Sequence, residues 1–184
     1  METIELSIVA LSESLSKPGN YALMLEDAHS KRRIPLIIGP AEAQAIAMAM
    51  EKMNPVRPMT HDLFHQTLER LETRLTKVLI DRVDSDYVFF AQLYLDGPLG
   101  PLQIDARPSD AIAMAVRASC PVLVTQAVLE LTGYYPDDKV RDKKGSYAEY
   151  TLAELEDLLA RIIRKEDYES AARVRDAIER RRQG

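Results

Sequence analysis

The sequence predicts an α+β fold: a mixed or antiparallel sheet, buried Ala-rich helices packed on it, and a helical hairpin at the C-terminal end. Three observations predict it. Six stretches before residue 106 have the composition and alternation of half-buried strands. Two of them run into segments, residues 43–50 and 111–116, that are apolar nearly all round, as helices enclosed by a core are. Beyond residue 150 the apolar spacing lengthens to that of amphipathic helices.

Residues 2–12 alternate Ile4, Leu6, Ile8 and Ala10 against Glu5, Ser7 and Val9 and read as the first strand. Lys17-Pro18-Gly19-Asn20 turns the chain, because proline presets one φ and glycine or asparagine takes the positive one. Residues 21–26 return, residues 29–32 turn again, and residues 33–38 make a third strand. Gly39-Pro40-Ala41-Glu42 opens a helix, with proline in its first turn and an acid facing the positive end of the dipole. Thr60 reads as the N-cap of a second helix, whose apolar stripe is Leu63, Phe64, Thr67, Leu68 and Leu71. Residues 74–84, 87–96 and 102–105 form another three strands, followed by the apolar helix after Pro108. Ala45-Ile46-Ala47-Met48-Ala49 recurs as Ala111-Ile112-Ala113-Met114-Ala115, which suggests two strand-strand-strand-helix units, although so short and simple a match is also within reach of coincidence. A strand at 122–125 and a short helix ending at Gly133 close this part. The predicted division is a domain over residues 1–135, a linker over 136–150 and a helical hairpin over 151–184.

Length and charge narrow the function. A chain of 184 residues holds one domain with a sizeable core plus a small appendage. The net charge is −5, with 13 basic against 19 acidic side chains in residues 1–140 and 11 against 10 in residues 141–184, so bulk charge gives no sign of a nucleic-acid face. No basic segment followed by an apolar one opens the chain and no apolar run reaches bilayer length, so a cytoplasmic protein with no membrane partner is expected. The single cysteine, Cys120, cannot form an internal disulfide and reads as a small buried hydrophobe.

His61-Asp62-Leu63-Phe64-His65 has the i, i+4 histidines of a zinc helix, but Asp stands where that signature has Glu and no third ligand is evident. Pro136-Asp137 with Asp142-Lys143-Lys144 has the residue types of a metal-dependent nuclease motif, but on a linker rather than a rigid sheet. Glu42, Asp62, Asp105 and Asp110 are more informative together, since hard cations such as Mg²⁺ take oxygen ligands and Arg57 and Arg107 could grip a phosphate bidentately. The plainer reading is that Thr60, Ser109 and the first-turn acids cap helices while the arginines pair with them. A Gly-rich phosphate loop, a serine nucleophile elbow and a Cys-x-x-Cys pair are all missing, which removes common nucleotide-binding, hydrolase and zinc-ribbon explanations.

Ile38-Gly39-Pro40-Ala41-Glu42-Ala43, Arg57-Pro58-Met59-Thr60-His61-Asp62-Leu63 and Asp105-Ala106-Arg107-Pro108-Ser109-Asp110-Ala111-Ile112-Ala113 together resemble the bifunctional nuclease domain family over roughly residues 2–135. The resemblance implies a mixed α/β domain, self-association, with a dimer expected, and DNase and RNase activity. Chemistry and motif position then suggest the site. Asp105 and Asp110, with Asp62 or Glu42, would hold a divalent metal, Mg or Mn. His61 would move a proton, and Arg57, Arg107 and Ser109 would bind the phosphate. The tail, with Glu166-Asp167-Tyr168-Glu169-Ser170-Ala171-Ala172-Arg173-Val174-Arg175-Asp176, resembles the UVR helical hairpin of nucleotide-excision-repair subunits, which implies a protein partner at residues 151–184 rather than catalysis. The expected function is therefore metal-assisted cleavage of RNA or DNA. The alternatives are a non-catalytic oligomeric adaptor and a phosphometabolite- or nucleotide-binding domain.

Overall fold

The computed structural model describes residues 2–14, 17–53 and 55–135 and, nearer the C-terminus, residues 152, 155–157, 159–160, 174–175, 178–179 and 182. The chain separates into two compact units, Met1–Tyr135 and Pro136–Gly184.

The first unit is α+β, with a mixed sheet of seven strands. In chain order its elements are β1 (Thr3–Glu13), β2 (Tyr21–Asp27), β3 (Arg33–Ile38), α1 (Pro40–Met50), α2 (Thr60–Arg70), β4 (Arg74–Val83), β5 (Phe89–Asp96), β6 (Leu102–Ala106), α3 (Pro108–Ala118), β7 (Val122–Thr125) and α4 (Gln126–Thr132). The strand order is β3-β2-β1-β7-β4-β5-β6. Two antiparallel meanders, β1-β2-β3 and β4-β5-β6, thus lie on either side of β7. They do not pair with each other: β7 joins them, antiparallel to β1 and parallel to β4.

That arrangement is the repeated strand-strand-strand-helix plan, in a register the sequence echo does not show. Both helices run 11 residues from a proline, so Pro40 corresponds to Pro108 and Glu42 to Asp110. In that correspondence Ala45 matches Ala113, two residues away from the Ala111 of the echo. The repeated words follow from alanine-rich composition; the repeated topology is in the backbone.

Alanines allow α1 and α3 to pack closely, and α3 lies on β4 and β5 with α2 against it. Ala111, Ile112 and Ala113 are completely buried with Ile46, Val78, Ile80 and Ala91. The apolar stripe expected on α2 is only partly enclosed: Leu68 is buried and Phe64 packs on the core, but Leu63 and Leu71 are exposed. Neither expected hydroxyl caps its helix. Met59 is the N-cap of α2, and Asp62 reaches back to accept from its amide at 2.9 Å. Arg107 is the N-cap of α3, with Pro108 and Ser109 already inside the helix.

In the second unit Leu155, Val174 and Ile178 are helical and buried, and Arg182 Nη2 donates to Glu156 Oε1 at 2.6 Å. The linker over residues 136–150 and most of the UVR-like motif lie outside the described residues. Among the described residues no helix is long and apolar enough to cross a membrane.

Candidate active site

Side chains from the first turns of α1, α2 and α3 meet around Asp110. Arg107, at the N-cap of α3, donates through Nε to Asp110 Oδ2 at 2.7 Å and through Nη2 to Oδ1 at 3.1 Å, a bidentate clamp. Its third nitrogen, Nη1, donates to Glu42 Oε1 of α1 at 2.9 Å. His61 Nε2 of α2 lies 3.1 Å from Asp110 Oδ1. An ionised carboxylate only accepts, so Nε2 carries the ring proton there and Nδ1 is left as the acceptor. Gly39 permits this approach on the α1 side, since a β-carbon at that position would stand 2.5 Å from Glu42 Oε2.

The cluster is electrostatically closed but not sealed. Burial alone would raise the Asp110 carboxyl, yet the hydrogen bonds and charges of Arg107 and His61 hold it below the ordinary aspartate value. The same pairing with Asp110 and Glu42 raises Arg107 further above its already high range. The Arg107 side chain is nevertheless 65% exposed while that of His61 is 17% exposed, so the guanidinium is the part a solute meets first.

The other sequence-predicted residues stand elsewhere. Asp62 faces away from Asp110 toward Arg117, whose Nε donates to its Oδ1 at 2.6 Å. Arg117 is only 8% exposed and also donates through Nη1 to the carbonyls of Ala45 and Ala113, at 3.2 and 2.9 Å, so one guanidinium ties α1, α2 and α3 together. Asp105 lies on β6 opposite Gln92, whose amide donates to it at 3.3 Å. Strand alternation therefore turns Asp105 to the face of the sheet away from the helices. Ser109 is buried, and Arg57 is exposed in the loop before α2, with no hydrogen bond or ion pair among the described residues. The two histidines of the zinc-like helix also diverge, His61 to Asp110 and His65 to Glu69.

These placements bear on the divalent metal. Asp62, Asp105 and Asp110 each answer to a different partner, and among the described residues no group of three His, Cys, Asp or Glu side chains is placed to hold an ion. The expected ligand set does not fit Mg or Mn in this arrangement. Sequence reasoning missed Arg117, because a basic residue in the last turn of a helix reads as a partner of the dipole.

The depressed carboxyls set an acid limit on stability. Burial works to raise the Asp62 carboxyl, and the bonds from Arg117 and the Met59 amide, with the charges of Arg117 and His61, bring it below its ordinary value. A carboxyl lowered on folding contributes fully above its unfolded pKa, about 3.9, and loses that contribution as pH falls toward the folded value. The urea midpoint should therefore hold between neutrality and about pH 5 and drop below about pH 4. Asp110→Asn should flatten that drop, and an unchanged acid limb would mean that the cluster does not carry it.

The family description of a bifunctional nuclease domain matches residues 23–136. Two curated proteins of Mycobacterium tuberculosis, one from strain CDC 1551 / Oshkosh and one from strain ATCC 25618 / H37Rv, are each 36% identical over 127 residues, which is 68% of this chain and 74% of theirs. Both are described as uncharacterized proteins.

Proposed function

Because the chain belongs to the bifunctional nuclease domain family, we propose that it cleaves phosphodiester bonds of RNA or DNA at the Glu42, His61, Arg107 and Asp110 cluster. The observation that carries this reading is one carboxylate, Asp110, holding a histidine and an exposed arginine together at the first turn of α3. The parts suit phosphoryl chemistry. Arg107 presents a planar fork that matches two phosphate oxygens, and helix N-termini favour the same negative charge. Asp110 fixes the His61 ring so that Nδ1 is the free base.

In this mechanism substrate phosphate takes over part of the Arg107 fork from Asp110 and Glu42. His61 removes the proton from the attacking hydroxyl or water, the new P–O bond forms, and the bond to the leaving oxygen breaks. The imidazolium then returns its proton to that oxygen. Arg107 stabilises the charge that gathers on the equatorial oxygens.

The test is cleavage of labelled single-stranded RNA and DNA by the purified full chain, with Mg²⁺, Mn²⁺ or chelator, beside Arg107→Ala, Asp110→Asn and Asp105→Asn. Loss in the first two with retention in Asp105→Asn supports the site. Equal loss in Asp105→Asn would move it to the other face of the sheet. The adaptor reading is favoured by one observation, that the charges of Glu42, His61, Arg107 and Asp110 answer one another internally. Binding of a protein partner at residues 151–184 without any cleavage would decide for it.

A further inference from the structure

We propose that the face of the sheet turned away from the helices is a surface for single-stranded nucleic acid, on which Phe90 and Tyr94 stack bases while Arg82 and Lys77 hold phosphates. The row is built on β5. Its residues Ala91, Leu93 and Leu95 are buried on the core side, so strand alternation puts Phe90, Gln92 and Tyr94 on the other face, where each is half-buried. Lys77 of β4 stands opposite Tyr94, and Arg82 opposite Phe90. Each cation lies over its ring: Lys77 Nζ is 4.5 Å from the Tyr94 ring centre and the Arg82 guanidinium carbon 3.7 Å from that of Phe90. The register shift between Ile80 and Arg82 makes the second pair, since an unbroken ladder from Leu79 and Gln92 would set Asp81 against Phe90.

The charges on this face are unspent. Arg33, Arg107 and Arg117 each answer an acid, whereas Lys77 and Arg82 form no ion pair among the described residues, in a chain whose acids outnumber its Lys and Arg 29 to 24. The carboxylate that faces the row from β6, Asp105, is already engaged by the Gln92 amide at 3.3 Å, and Gln92 keeps its carbonyl oxygen as an acceptor. A cation resting on a half-exposed ring is a contact that a single strand can take over. The cation passes to a phosphate, the ring face passes to a base, and both groups stay paired. Phe90 and Tyr94 stand about 13 Å apart along β5, with Gln92 between them to meet the edge of an intervening base.

The chemistry selects the occupant. A duplex keeps its bases stacked on one another and offers a sheet only its backbone and groove edges, whereas a single strand has π faces to give. The centre of a protein interface is depleted of charge, and here a lysine and an arginine stand at the centre beside the rings. Two cations on one strand are invisible in a net charge of −5, so the composition conceals the patch. The surface lies across the sheet from Glu42, His61, Arg107 and Asp110, and the proposal stands whether or not that cluster cuts.

Fluorescence anisotropy of end-labelled oligo(dT) and oligo(U) with the full chain at low salt tests the proposal, with a gel after each titration so that cleavage is read separately from binding. Both single strands should bind, and an oligo(dA)·oligo(dT) duplex of the same length should bind less well. Phe90→Leu and Tyr94→Leu, which keep apolar bulk and lose the π face, should each weaken binding by about 5- to 150-fold. Lys77→Gln and Arg82→Gln should each flatten the slope of log affinity against log salt by about 0.7. Ultraviolet cross-linking of the wild type, mapped by mass spectrometry, should mark Phe90 and Tyr94. No binding, an affinity unmoved by the leucine changes, a duplex held as tightly as the single strand, or cross-links confined to α1, α2 and α3 would each overturn it. Circular dichroism checks the variants; if a leucine variant does not fold, the glutamine variants and the wild-type cross-links decide.

Discussion

His61→Gln should lower phosphodiester cleavage by about 10²- to 10⁴-fold, the usual worth of a positioned general acid or base, and should leave the fold in place. Glutamine still offers an amide hydrogen to Asp110 Oδ1, so the carboxylate keeps a donor where His61 Nε2 stood at 3.1 Å. It has no ring nitrogen that can act as a base. The loss should therefore fall on kcat, with substrate binding through Arg107 little changed. Thermal unfolding read beside the kinetics separates this from damage. Cleavage retained in a folded His61→Gln would remove the histidine from the chemistry and leave it as packing beside α3.

The second large effect is on stability. Arg117→Met should destabilise the first unit by about 3 kcal/mol, the low end of the range for breaking a buried pair. The methionine fills much of the same volume but leaves Asp62 Oδ1 without the donor at 2.6 Å and uncovers the Ala45 carbonyl. The lower end applies because the Asp62 side chain keeps 21% of its exposure and can recruit water. Asp62→Asn should cost less, since its one amide oxygen still accepts from Arg117, although the NH2 group then replaces the acceptor that Oδ2 gave the Met59 amide. The double variant should fall short of the sum, because each single change already breaks the shared contact. Urea denaturation of the four proteins gives the cycle. A purely additive result would mean that the two side chains act separately.

Much of this architecture is legible from residue order alone, and the exceptions have physical causes. The strands are legible because core-facing Leu23, Leu25, Leu93 and Leu95 alternate with less buried neighbours. The alanine-rich helices are legible because α3 buries most of its circumference. Glu42, His61, Arg107 and Asp110 could be named as candidates because each sits at a strand–helix or loop–helix junction. Which acids share a place could not be read. Asp105 and Asp110 are neighbours in sequence, but one faces away from the helices on a strand and the other faces His61 on a helix. The position of β7 was equally hidden, since four residues, Val-Leu-Val-Thr, carry no mark of parallel or antiparallel pairing.

That last strand has a consequence for how the protein is made. Until residues 122–125 leave the ribosome, a nascent chain can assemble β1-β2-β3 and β4-β5-β6 but has no strand ladder between the two meanders, which then meet only through α1 and α3. During that interval the apolar flanks of β1 and β4 stay open to chaperones or to a neighbouring polysome product. A stop codon or frameshift shortly before Val122 would therefore not yield merely a shorter version of the same fold. It would yield two half-sheets with no keystone, although nearly all the residues of the Asp110 cluster's surroundings had already been translated.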